Sequence, residues 1–131
     1  MQINRRKVRN GVSCFLNYLK FRYLGVEMGY HFRGLGKIVL KLDPKYKRVV
    51  IGDNFIIIGG GFRNSISRNM MSCIHVQAGA ELCIGNDVRM SDVCIWARKK
   101  IIIGSFVTVG ADTIIMDSDS HPLDWSLRRR E

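Results

Sequence analysis

Long apolar runs are missing from this 131-residue chain. None approaches the roughly 18 residues that a spanning helix needs, so no transmembrane helix is expected. Proline is nearly absent, with two residues, which argues against a proline-rich linker or tail. The first twenty residues, MQINRRKVRNGVSCFLNYLK, are basic. They carry neither a long apolar stretch nor a small-residue cleavage site, so a secretory signal is not expected. Cys-x-x-Cys pairs are lacking as well. Cys14, Cys73, Cys83 and Cys94 fit no zinc spacing and read as buried, reduced thiols of a cytoplasmic protein. Hydrophobic residues at 47% and charged residues at 24% are too many and too few, respectively, for a disordered chain.

Acidic residues are scarce in one region only. Residues 1–50 hold 12 Lys/Arg and two acids, Glu27 and Asp43, for a net +10; residues 51–131 hold nine of each sign and are neutral. The basic character therefore belongs to an N-terminal segment. With no DNA- or RNA-binding motif beside it, a nucleic-acid partner is not expected.

Within that segment Val8, Val12, Phe15, Leu16, Leu19 and Tyr23 recur at steps of three and four, the spacing of an amphipathic helix. Gly11 costs it about 1 kcal/mol relative to alanine. Arg5, Arg6, Lys7, Arg9, Lys20 and Arg22 flank the apolar positions. Such a helix either packs its apolar stripe on the body, the commoner arrangement, or lies on an anionic membrane surface through residues 1–24.

After Gly25 the periodicity changes. Short β-branched runs appear at 38–40, 49–51, 55–58 and 101–103. Ile51-Gly52-Asp53-Asn54-Phe55, Ile84-Gly85-Asn86-Asp87-Val88 and Ile103-Gly104-Ser105-Phe106-Val107 share one form. Steps of six follow: Ile51 to Ile57, Ile84 to Met90 and on to Trp96, Ile103 to Val109 and Ile115. The repeat from Trp96 resumes at Ile103, one residue late, which places an insertion near Trp96–Lys100. A period of six suits a parallel β-helix in which each hexad makes one flat side and about three sides make a coil. Aliphatic residues stack inward, and Asn, Asp and Gly take left-handed conformations at the corners.

These repeats, followed by Asp117-Ser118-Asp119-Ser120-His121-Pro122-Leu123-Asp124, resemble the hexapeptide-repeat acyltransferases with a left-handed parallel β-helix. The sugar and polysaccharide O-acetyltransferases, such as galactoside and maltose acetyltransferases, are the nearest kind. The likeness spans about residues 49–130. It implies a mostly β fold, with residues 1–28 as basic helix and linker and 29–131 as the β-helix domain. It implies transfer of acetyl from acetyl-coenzyme A to a sugar or glycan hydroxyl, with no metal, in a cytoplasmic homotrimer whose active sites lie between subunits. His121 falls at the family's catalytic histidine. Members of the family continue past this point with further coils, so the resemblance implies a C-terminally truncated chain. Such a 131-mer is expected to be weakly stable or oligomeric, and a poor catalyst. A catalytically silent β-helix with a structural role is the alternative.

Histidine suits the base role, because its ordinary pKa near 6.5 leaves it mostly neutral at pH 7. Pro122 restricts it to extended backbone. An extended 117–121 would put Asp117, Asp119 and His121 on one face, where a carboxylate steadies the imidazolium or binds sugar hydroxyls. The same aspartates would otherwise be a solvated turn. Asp92 is a second substrate-binding candidate, or a corner aspartate. Trp96 and Trp125 are read as stacking on sugar or coenzyme, or as lying at a subunit boundary. Gly59-Gly60-Gly61 lacks the Gly-Lys-Ser/Thr of a phosphate loop and reads as a corner. Arg128-Arg129-Arg130 is either a solvated run or a partner for coenzyme phosphates.

Overall fold

The computed structural model describes residues 4–61 and 63–129. Helix α1 (Arg5–Tyr23) is followed by twelve short strands and a closing helical turn. The strands are β1 (Glu27–Met28), β2 (Arg33–Gly36), β3 (Ile38–Leu42), β4 (Arg48–Ile51), β5 (Ile56–Gly59), β6 (Ser72–Val76), β7 (Glu81–Ile84), β8 (Arg89–Ser91), β9 (Cys94–Ala97), β10 (Lys100–Ile103), β11 (Thr108–Val109) and β12 (Ile114–Met116). The last element is α2 (Trp125–Arg128).

The fold is mostly β, in three parallel sheets of four strands. Sheet A runs β1-β4-β7-β10, sheet B β2-β5-β8-β11, and sheet C β3-β6-β9-β12. The chain thus visits the three sheets in rotation, and four circuits stack in register. Every third strand pairs with the strand one circuit away. That stacking carries the repeat positions into columns: Met28, Ile51, Ile84 and Ile103 in sheet A; Ile57, Met90 and Val109 in sheet B; Leu40, Ile74, Ile95 and Ile115 in sheet C. The central members are fully buried and form the core with Phe55, Leu82 and Val88. Burying each large aliphatic side chain contributes about 1.5–3 kcal/mol.

The corners explain the polar half of the repeat. His31, Asn54, Asp87 and Phe106 occupy one corner with φ near +60°. Beside them the Tyr30 amide donates to Asp53 Oδ1, the Asp53 amide to Asn86 Oδ1 and the Asn86 amide to Ser105 Oγ. Each circuit's corner side chain holds the backbone of the circuit before it. Gly85 leaves room for this contact, since a Cβ there would come within 2.6 Å of Ser105 Oγ. His31 is thereby a corner residue.

Two expectations from periodicity need correction. Ile95, not Trp96, fills the inward position of β9, and Trp96 faces outward. The corner at Asp92 (φ +49°) turns in one residue fewer than a hexad allows, which shifts the register. The extra length falls at Arg98–Lys99.

The second correction concerns α1. It does not pack its apolar stripe on the body. Val8, Val12, Phe15, Leu16, Leu19 and Tyr23 are exposed, and the buried residues of the helix are Asn17 and Phe21. The helix crosses the open edge of β2, where strand groups have no next strand to pair with. Asn17 Nδ2 donates to the carbonyls of Gly34 (3.0 Å) and Gly36 (3.1 Å). Lys20 Nζ donates to Ile38 O, and Ser13 Oγ accepts from the Gly36 amide. Burial pushes the Lys20 ammonium below its ordinary pKa. Phe21 packs against Phe32 in a tilted pair, ring centroids 5.0 Å apart, to complete the seal. An edge needs hydrogen-bonding side chains, so the helix buries its polar side.

Candidate functional site

The segment that carries His121 leaves the stack directly after β12. It is not extended. Asp117 turns back, and its carboxylate accepts from the amides of Arg98 (2.7 Å), Lys99 (2.8 Å) and Lys100 (2.6 Å). Burial raises its pKa, but these three amides outweigh that and hold it below the ordinary carboxylate value. Ser118 Oγ accepts from Arg98 Nη1 and from the Ser120 amide. Ser120 has φ +68°. Strand alternation is therefore broken between Asp117 and His121, and the expected common face of Asp117, Asp119 and His121 does not form. Asp117 is the rivet that ties the loop to the neighbouring corner.

His121 and Asp119 are exposed, and Asp119 lines a shallow cleft of about 430 Å³ with Met116, Asp117 and Ser118. Asp124 caps α2 by accepting from the Ser126 amide and hydroxyl, and the hydroxyl and amide lower its pKa. Arg128 Nε donates to Pro122 O, pinning the residue after His121. Arg129 lies over the exposed Trp125 ring at 5.1 Å. Arg130 lies outside the described residues.

Asp92 sits elsewhere. It is only 4% exposed, and its Oδ1 accepts from the Gly60 amide at 2.8 Å. This is the geometry of a corner aspartate holding the Gly59–Gly61 bend. That bend is not a phosphate loop: the Gly60 amide is already given to Asp92 and Met70 O.

The segment 63–71, between the Gly59–Gly61 bend and β6, carries no sequence motif of its own. It leaves the hexad frame and folds over the sheet B to sheet C corner. Asn64 Nδ2 donates to Ser91 Oγ, and Arg68 pairs with Asp112 at 2.9 Å. The Arg68 hydrogen bond holds the Asp112 carboxyl below its usual pKa. Under this strap lies a cleft of about 610 Å³ on the outer face of sheet B. Arg33, Arg63 and Arg89 supply its positive charge, and Leu35, Ile56 and Ile58 its apolar floor. Arg33 and Arg89 each open a strand and share one column of sheet B on either side of Ile56, a juxtaposition that only the stacking of circuits creates. On sheet C, Trp96 stacks on His75 at 6.2 Å, Arg98 lies over the Trp96 ring at 5.7 Å, and His75 Nε2 meets Asp43 at 3.1 Å. His75 thus belongs to an outer face and is remote in sequence from the His121 loop. The four cysteines are free and half-buried, and burial pushes the Cys73 thiol up.

Among the described residues no group of three or more His, Cys, Asp or Glu is placed to hold a metal ion, and no helix is long and apolar enough to cross a membrane. Comparison with protein-family models, with curated proteins and with solved structures found no match to this chain.

Proposed function

We propose that this chain is a hexapeptide-repeat acyltransferase with a left-handed parallel β-helix, which moves an acetyl group from acetyl-coenzyme A to a sugar or polysaccharide hydroxyl. The observation that carries this reading is the rotation through three sheets, with repeat aliphatics in inward columns, ending directly in the His121-Pro122 loop. His121 is the general base. It takes the hydroxyl proton as that oxygen attacks the thioester carbonyl carbon. The C–S bond then breaks, and the leaving thiolate recovers the proton from the imidazolium. Asp119 is the carboxylate left to orient the acceptor or the imidazole, since Asp117 and Asp92 are committed to backbone amides. The cleft with Arg33, Arg63 and Arg89 suits the coenzyme's phosphates. Exposed apolar side chains on the outer sheet faces, such as Ile102 and Ile114, suit a homotrimer in which His121 faces a neighbouring copy. The setting is cytoplasmic.

The test is thiol release from acetyl-coenzyme A with a panel of sugar acceptors, comparing the chain with His121→Ala. A loss of about 10²–10⁴ on substitution is expected for a general base. Equal rates would remove His121 from the chemistry. A second reading, a structural β-helix, is favoured by the two candidate aspartates that serve only the backbone. Absence of turnover with every acceptor, in a chain that remains folded, would select it.

A further inference from the structure

Helix α1 has its two faces reversed relative to a helix on a globular core. At 100° per residue, Phe15, Val8, Leu19, Val12, Tyr23 and Leu16 fall within an arc of about 100°. The packed residues Ser13, Asn17, Asn10, Phe21 and Cys14 fall on nearly the opposite side. The apolar arc has no cover: Phe15 and Leu16 are each 60% exposed and Tyr23 is 90% exposed. Cations border it on both sides, Arg22 along one flank and Arg9 along the other, with Arg5, Arg6 and Lys7 at the N-terminal end. The helix contains six Lys/Arg and no acid.

We propose that α1 lies flat on an anionic membrane surface, with the Phe15–Leu16 stripe among the lipid chains and the flanking cations against lipid phosphates. Charge decides between occupants. A second copy meeting this face on its own counterpart would bring two wholly cationic helices together, which is repulsive. An anionic bilayer complements both the stripe and its flanks. No helix among the described residues is long and apolar enough to cross, so the contact is peripheral. The seat of α1 makes this docking inexpensive. Asn17 and Ser13 already hold the helix on the β2 edge and Lys20 on the start of β3, so no polar contact must break for the apolar side to enter lipid. The sugar-acceptor reading would then gain a location, beside glycans carried on lipid, but docking itself requires no catalysis.

Vesicle co-sedimentation of the full chain tests this, using phosphatidylcholine alone or with about one-third phosphatidylglycerol. Partition is expected to be at least about tenfold stronger on the anionic vesicles and to fall with salt. Phe15→Ser/Leu16→Ser, on an exposed face, should lower it about tenfold or more. Arg5→Gln/Lys7→Gln/Arg22→Gln should flatten the salt dependence. In a Phe15→Trp variant the added emission should shift to the blue on anionic vesicles only. His121→Ala should bind like the parent, so loss of the catalytic reading leaves this one standing. Equal partition on both vesicles, no effect of Phe15→Ser/Leu16→Ser, or no blue shift would overturn the proposal. So would a change of oligomeric mass with Phe15→Ser/Leu16→Ser and unchanged vesicle binding, which would give the stripe to a second copy.

Discussion

The two ends of the strand stack are finished differently. At the first end α1 crosses the β2 edge, and Asn17, Ser13 and Lys20 meet the strand groups that lack a next strand. Phe21 is 0% exposed there. At the other end β10, β11 and β12 are outermost in their sheets, and among the described residues no further strand pairs with them. The core columns thin accordingly. Met90 and Ile95 are buried, whereas Val109 and Ile115, one circuit on, are half-buried. Phe106, at the corner of that last circuit, is 83% exposed. The difference teaches that closing a parallel stack is first a hydrogen-bonding problem. The helix that solves it must turn polar side chains inward, and its apolar side is left for another surface.

The comparison can be broken most forcefully at the sealed end. Phe21→Ala should cost about 3–5 kcal/mol in denaturant unfolding, while Phe106→Ala at the open end should fall within about 0.5 kcal/mol of the parent. Similar costs at both ends would erase the distinction. Asn17→Leu keeps the branched shape and adds apolar surface, yet should destabilise by about 1–3 kcal/mol, because Gly34 O and Gly36 O lose their donor. A stabilised variant would refute the capping role.

Asp117 sharpens the same contrast near the open end, where a carboxylate does the holding. Asp117→Asn should cost about 1–2 kcal/mol in thermal unfolding, by weakening three charge-assisted bonds. Its folded pKa lies below the unfolded one, so its contribution is present in full above the unfolded value, about 4. It is lost as pH falls through the lower folded value. A pH titration of stability should therefore show a step below about pH 4 that Asp117→Asn lacks. The smallest effect is a gain. Phe106 has φ +61°, at the corner where Asn54 and Asp87 stand in earlier circuits. Phe106→Asn should stabilise by about 1 kcal/mol in the same assay.

Much of this architecture was legible in the hexads. Ile51, Ile84 and Ile103 announced the sheet A column, and Asn54 and Asp87 announced the left-handed corner. Trp96 was misplaced because counting by six assumes equal corners, and the Asp92 turn is one residue shorter. The orientation of α1 was illegible for a deeper reason. Hydrophobic periodicity assumes that apolar residues face the body, whereas a strand edge recruits Asn17 and Lys20 instead. In the candidate site, the His121-Pro122 loop stood out by its residues. The use of Asp117 did not, since three amides of residues 98–100 reach it only through the stacking of circuits.

The reversal of α1 is most directly measured by thiol labelling of a Leu16→Cys variant, with native Cys14 as the internal reference. Cys14 is on the packed side, its Sγ 3.7 Å from Phe32 O. The account predicts that the thiol introduced at Leu16→Cys reacts quickly in solution, well ahead of Cys14, and becomes protected when anionic vesicles are added. A slow thiol at that position in solution, with Cys14 labelled first, would mean that the apolar stripe faces the body and would contradict it.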